Sequence, residues 1–201
     1  MKTVAALYID PRGPYPKMPG VDCWDETRDA KLYDGPHPVV AHPPCGPWGA
    51  LRHMRVPNRE RRTGDADCAA FAIAAVRARG GVLEQPAGSK MFEAFALPKP
   101  GASDEHGFTV EVEQVAWGHP ARKKTWLYIV GVARSVVAAG ILTGGTVTHW
   151  VSGGRNPLRK NGRCGGGIVP PGIKVCSAQQ RRRTPPAFAE WLVSLARSVQ
   201  R

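Results

Sequence analysis

Proline stops three apolar runs in this chain, and that punctuation limits what the chain can build. "TVAALYI" (3–9) runs into "DPRGPYPKMPG", "PHPVVAH" ends at a Pro-Pro pair, and "GVLEQP" ends at Pro86. Proline has no amide donor and a fixed φ, so neither a long helix nor a central strand continues through it. With 19 prolines and 23 glycines in 201 residues, regular elements must be short and loops numerous. The three apolar runs therefore read as short buried strands.

Elsewhere the period changes. "ADCAAFAIAAVRARG" predicts a helix that is apolar nearly all round, capped by Asp65 and ended by Gly80-Gly81. "KMFEAF" predicts a helical turn or two. "FTVEVEQVAW" alternates, "GHPARKK" interrupts, and "TWLYIVGV" resumes, which predicts an antiparallel pair. Residues 152–183 are rich in Gly, Arg and Lys and read as a mobile basic loop. "TPPAFAEWLVSLARSV" predicts a closing amphipathic helix, with Thr184 as its cap and Phe188, Trp191, Leu192 and Leu195 at helical spacing. Strand, helix, strand, helix and a late antiparallel pair make an α/β domain, expected to span residues 1–201 as one unit.

Charge and cysteine usage narrow the function classes. A formal net charge of +12 points to a polyanionic partner, of which nucleic acid is the commonest. The five cysteines (Cys23, Cys45, Cys68, Cys164, Cys176) are odd in number and form no CxxC pair, which argues against a disulfide framework and a structural zinc site. The six histidines show no HExxH pattern, so no metal is expected. The first apolar run is too short for a signal peptide and nothing reaches membrane-span length, so a cytoplasmic protein without a membrane partner is expected.

In open α/β sheets, sites collect at the carboxyl ends of strands. There "VVAHPPCGPWG" (39–49) presents Cys45, and "VLEQP" presents Glu84. A thiol in a stiff Pro-Pro turn is either a small buried hydrophobe or a nucleophile whose pKa is lowered by nearby cations. Arg52, His53 and Arg55 stand downstream to supply such a field. Trp24, Trp48, Trp117 and Trp126 suit either base stacking or the core.

Taken in order, "AHPPCGPWG", "GVLEQPAGS" and "GHPARKKTWLYIVG" resemble three segments of the DNA cytosine-5 methyltransferases. In that family a Pro-Pro-Cys turn carries the nucleophile and a Glu-Asn-Val strand carries a glutamate that contacts the target base. A Gln-x-Arg-x-Arg segment then precedes a strand of the "RIYMIV" kind. "RRTPPAFAEWLVSLA" is similar to the family's closing "GNSVPPPVA" turn and helix, so the resemblance covers roughly residues 29–131 and 181–199, by motif. It implies a Rossmann-like methyltransferase-type sheet, mostly parallel with a C-terminal antiparallel pair and helices on both faces.

The resemblance also implies roles. Cys45 would attack C6 of a pyrimidine, Glu84 would bind N3 and the exocyclic amino group, and Lys123 would supply positive charge. Pro44, Trp48, Arg122 and Thr125 would line the substrate. Ala121, Lys123 and Thr125 stand where the family has Gln, Arg and Arg, so only Lys123 keeps its charge. The target base would be flipped out of a duplex or taken from a single strand. Independently of the resemblance, Arg155, Arg159, Lys160 and Arg163 of the basic loop suit DNA phosphates, and equally a solvated glycine-rich linker.

S-adenosylmethionine is the donor that the resemblance implies, with Asp29 near the family's acidic ribose-binding position. The family's "FxGxGG" turn has no counterpart, however: Pro11, Pro14 and Pro16 stand in its place. Another electrophile, such as a one-carbon donor, is therefore an alternative. "GPY", "GVDCW" and "AHPPC" are similar to segments of short phage-associated, methyltransferase-like proteins, which implies a bacterial or phage-infected cytoplasm. Two other readings stay open. One is a catalytically degenerate DNA-binding module of this fold, and the other an enzyme of free pyrimidine nucleotides.

Overall fold

The computed structural model describes residues 1–49, 65–151, 163–164, 167–169 and 171–200. Its centre is a six-stranded sheet of β1 (Val4–Leu7), β2 (Val21–Trp24), β3 (Val39–Ala41), β4 (Gly81–Pro86), β5 (Gly107–Glu113) and β6 (Lys124–Val130). The strands lie in the order β2-β1-β3-β4-β6-β5. β2, β1, β3 and β4 pair in parallel, while β6 runs antiparallel to both β4 and β5.

Alternation along each strand divides the core into two layers. Val4 and Ala6 of β1, with Val40, Val82, Leu127 and Ile129, face the closing helix α5 (Pro186–Arg197) through its Phe188, Leu192 and Leu195. Ala5 and Leu7, with Val39, Ala41, Leu83 and Tyr128, face α1 (Asp67–Arg79) and the short α2 (Met91–Ala94). Both faces of the central strands are thus covered, which is why they read as unbroken apolar runs. Alanines at 69, 72 and 75 let α1 lie close on the sheet. At the α1–β4 junction Gly81 has φ +126, and a Cβ there would collide with the Val39 backbone.

Several boundaries differ from the sequence reading. "DPRGPYPKMPG" does hold regular structure, a 3-10 turn at Tyr15–Lys17, and the edge strand β2 follows it at once. Asp65 does not cap α1: the cap is Ala66, without a side-chain bond, and Asp67 places its charge in the first turn instead. Thr184 does not cap α5, which opens on Pro185 and Pro186. A short helix α3 (Arg134–Gly140) follows β6. The presumed basic loop contains structure in its described parts. β7 (His149–Trp150) pairs in parallel with β10 (Lys174–Val175), β8 (Arg163–Cys164) pairs with β9 (Gly167–Ile168), and α4 spans Ala178–Arg182. Among the described residues no helix is long and apolar enough to cross a membrane.

Candidate active site

The carboxyl ends of β1, β3 and β4 open on one edge of the sheet, and reversed β6 begins there. The chain leaving β3 is held down twice. His42 N–H donates to the Leu7 carbonyl at 3.0 Å, and the buried Gln85 amide donates to the Pro43 carbonyl at 2.6 Å. Ser89 Oγ fixes that amide by donating to its Oε1 at 3.1 Å. The Pro43-Pro44-Cys45 turn is then closed by Trp48 and Gly49, whose N–H groups both donate to the Cys45 carbonyl. Two prolines and these bonds leave the Cys45 side chain exposed at the sheet edge.

Glu84, the fourth residue of β4, is buried beside it. Its Oε2 faces His42 Nδ1 at 3.1 Å, and its Oε1 accepts from Gln114 Nε2 at 3.2 Å. Gln114 also donates to Thr125 Oγ1 at 2.9 Å, and Thr125 in turn donates to the Lys123 carbonyl. Behind His42, its Nε2 lies 2.6 Å from the Tyr15 hydroxyl. Burial pushes the Glu84 carboxyl up, but the bonds from His42 and Gln114 and the nearby Lys123 charge outweigh it, so its pKa is lowered. Glu84 is a carboxylate at neutral pH.

Cys45 and Lys123 complete the group. Partial desolvation pushes the Cys45 thiol up and Glu84 adds to this, against smaller pulls from Lys123 and Arg182. The lowering expected of an activated thiol is not present in the resting site, and Arg52, His53 and Arg55, named for that role, lie outside the described residues. Burial lowers the Lys123 pKa, although Glu84 and Cys45 favour its charge. Lys123 takes a positive φ of 39, and its Nζ donates to the Arg183 carbonyl at 3.1 Å, tying this corner to α4. α4 is itself pinned by a Ser177–Gln180 capping box and by His119 Nε2 against the Gln180 carbonyl. Arg122, Arg182 and Arg183 are exposed on this rim.

The other expected site residues fall as follows. Pro44 lies in the Cys45 turn, and Thr125 is buried beneath Lys123. Trp48 packs edge-on against Phe95, Trp126 against Phe92, and Trp24 against Tyr33, while Trp117 stacks on Trp191 in the core. Each of the four tryptophans packs against another aromatic ring, and only Trp117 is buried. Asp29 lies in a turn past β2, where it caps Ala30–Leu32 by accepting from Lys31 N–H, and it is not bonded to the Cys45 group. Arg155, Arg159 and Lys160 lie outside the described residues, and of Arg163 only its place in β8 is described.

Sequence reasoning missed His42, Tyr15 and Gln114. His42 stood inside the quoted "AHPPC" and Tyr15 inside "GPY". Ala121 stands where the family has its glutamine, whereas Gln114, which opens a 3-10 turn just past β5, reaches Glu84. Among the described residues no group of three or more acidic, His or Cys side chains is placed to hold a metal. No family model matches the chain, and no curated protein or solved structure matches it either.

Proposed function

We propose that this chain modifies pyrimidine bases in DNA by cytosine-5-methyltransferase-type chemistry, with Cys45 as nucleophile at C6. The observation that carries this reading is convergence. Cys45, Glu84 and Lys123 come from three separated segments, meet at the carboxyl edge of the sheet, and act on one another electrostatically. A mostly parallel sheet with one reversed strand beside the edge strand supports the finer reading, a Rossmann-like methyltransferase-type fold.

At rest the thiol is protonated and Glu84 is ionised, so the pair shares one proton. The reactive form, thiolate with carboxylic acid, has the same proton count. When the thiolate adds to C6, an S–C6 bond forms and the C5–C6 π pair moves to C5. Glu84 gives its proton to ring N3, which becomes more basic as charge spreads over the ring. Neutralising Glu84 also removes the charge that holds the thiol pKa up, so deprotonation of one favours protonation of the other. Lys123 faces both groups and stabilises the thiolate. The exposed Arg122, Arg182 and Arg183 give the rim the charge that a phosphodiester requires.

The residues after β1 do not suit S-adenosylmethionine. Where bare glycine backbone is needed, Tyr8 stands at φ 60 with its hydroxyl buried, and Tyr15 fills the space next to His42. The reading therefore ends at activation of C5, and the group added there is to be identified by experiment. Nucleoside mass spectrometry would compare DNA from cells expressing the wild type or Cys45→Ser. A new nucleoside mass that vanishes in the variant is expected; identical DNA from both would sink the DNA reading.

A further inference from the structure

Glu84 is not held by the substrate edge alone. A buried chain of side chains leads away from it, from Glu84 Oε2 to His42 Nδ1 at 3.1 Å and from His42 Nε2 to the Tyr15 hydroxyl at 2.6 Å. The chain's protons can be placed by elimination. An ionised carboxylate can only accept, so His42 Nδ1 must carry a hydrogen toward Glu84. Tyr15 is 2% exposed, and among the described residues its hydroxyl meets only His42 Nε2. Donation of its O–H to Nε2 leaves neither atom unsatisfied and makes Nε2 the bare nitrogen of the ring. Glu84 and Tyr15 hold this tautomer from the two sides of the ring, and it aims a donor at Glu84.

We propose that Tyr15 and His42 are positioning residues that hold Glu84 ionised and oriented, and so govern how readily it takes up the proton needed at the pyrimidine N3. This rests on the reading of Glu84 as the base-edge acid. The groups facing Glu84 are His42 and Cys45 from the segment after β3, Tyr15 from the turn after β1, Gln114 just past β5, and Lys123 just before β6, with Thr125 behind Gln114. Arg182 acts on Cys45 from α4, and Cys23 faces Tyr15 from β2. Each donor to Glu84 is held by a further buried hydroxyl, His42 by that of Tyr15 and Gln114 by that of Thr125.

Two measurements test this. In long-range proton–nitrogen NMR spectra at pH 8, the His42 ring is expected with its proton on Nδ1 and a bare Nε2. Tyr15→Phe, which keeps the ring volume, is expected to release the ring into a mixture of tautomers. An Nε2-protonated ring in the wild type, or an unchanged spectrum in Tyr15→Phe, would overturn the proposal.

The second measurement is the pH profile of Cys45-dependent product formation. His42→Ala removes a donor from the carboxylate, so the acidic limb is expected to move to higher pH by about one unit. The plateau should fall about 10- to 100-fold as orientation is lost. His42→Asn, whose amide can still donate to Glu84, is expected to return the limb toward the wild-type position. A limb that stays in place in His42→Ala would also overturn the proposal, because a merely structural histidine would lower the plateau without moving it. If no substrate yields Cys45-dependent product, the proposed function fails, and the tautomer of His42 still decides the relay.

Discussion

Gln114→Leu tests the energetics of the site without touching the groups assigned to chemistry. The substitution keeps the volume nearly constant at a position 1% exposed, so packing changes little. Two hydrogen bonds disappear, one to Glu84 Oε1 at 3.2 Å and one to Thr125 Oγ1 at 2.9 Å. A bond to a charged group contributes about 1.5–3 kcal/mol and a neutral one about 0.5–1.5 kcal/mol. Against this, Gln114 Oε1 is buried with no partner among the described residues, and removing it recovers about 1 kcal/mol. The expected net loss is about 2 kcal/mol at pH 7.5, read as a lower urea midpoint with an unchanged slope.

The pH dependence of that loss carries the sharper test. Folded Glu84 has a pKa below its ordinary 4.5, so its stabilisation is full above about pH 4.5 and is lost as pH falls through the folded value. Gln114→Leu moves the folded value back up. Wild type and variant should therefore differ most at neutral pH and converge in acid. A neutral-pH difference under about 0.5 kcal/mol, or one that widens on acidification, would refute the assignment of Gln114 as a donor to an ionised Glu84.

Cys45→Ser changes an exposed side chain, so its thermal midpoint should match the wild type while product formation is abolished. Because the Cys45 thiol lies above its ordinary 9.0, alkylation by iodoacetamide should be slow at pH 7 and accelerate as pH passes 9. At pH 8 the same reaction should run faster in Glu84→Gln, which removes an upward push, and slower in Lys123→Met, which removes a downward pull. Gly81→Ala should lower stability by about 3 kcal/mol or more in chemical denaturation, since a Cβ meets the Val39 backbone at φ +126. Replacing Arg182 and Arg183 by alanine should flatten the salt dependence of binding to a single-stranded oligonucleotide by about two phosphate contacts; an unchanged slope would remove both from the DNA path.

The parts of this architecture that were legible are those encoded within one segment. Buried parallel strands announce themselves as apolar runs, and proline marks where each must stop, so β1, β3 and β4 and the residues at their carboxyl ends were readable. β2 was not, because it has four half-buried residues and among the described residues pairs only with β1, amid prolines and glycines that read as turn. The two helix caps failed for a related reason. A capping side chain is decided by backbone geometry at one residue, and Ala66 and Pro185 hold those positions without any side-chain bond.

His42, Tyr15 and Gln114 required the strand order itself. The relay runs Tyr15, His42, Glu84, Gln114, from the turn after β1, the turn after β3, β4, and the turn just past β5. β1, β3 and β4 are neighbours in that order, and reversed β6 lays Thr125 at the same edge, where Gln114 meets it. In sequence these contacts span 27, 42 and 30 residues, so no local pattern could reveal them. A chain with the same motifs but another strand in place of β1 beside β3 would still set Cys45 beside Glu84, and would leave His42 without its tyrosine. Motifs select the residues that meet a substrate, whereas the sheet order selects the residues that control them.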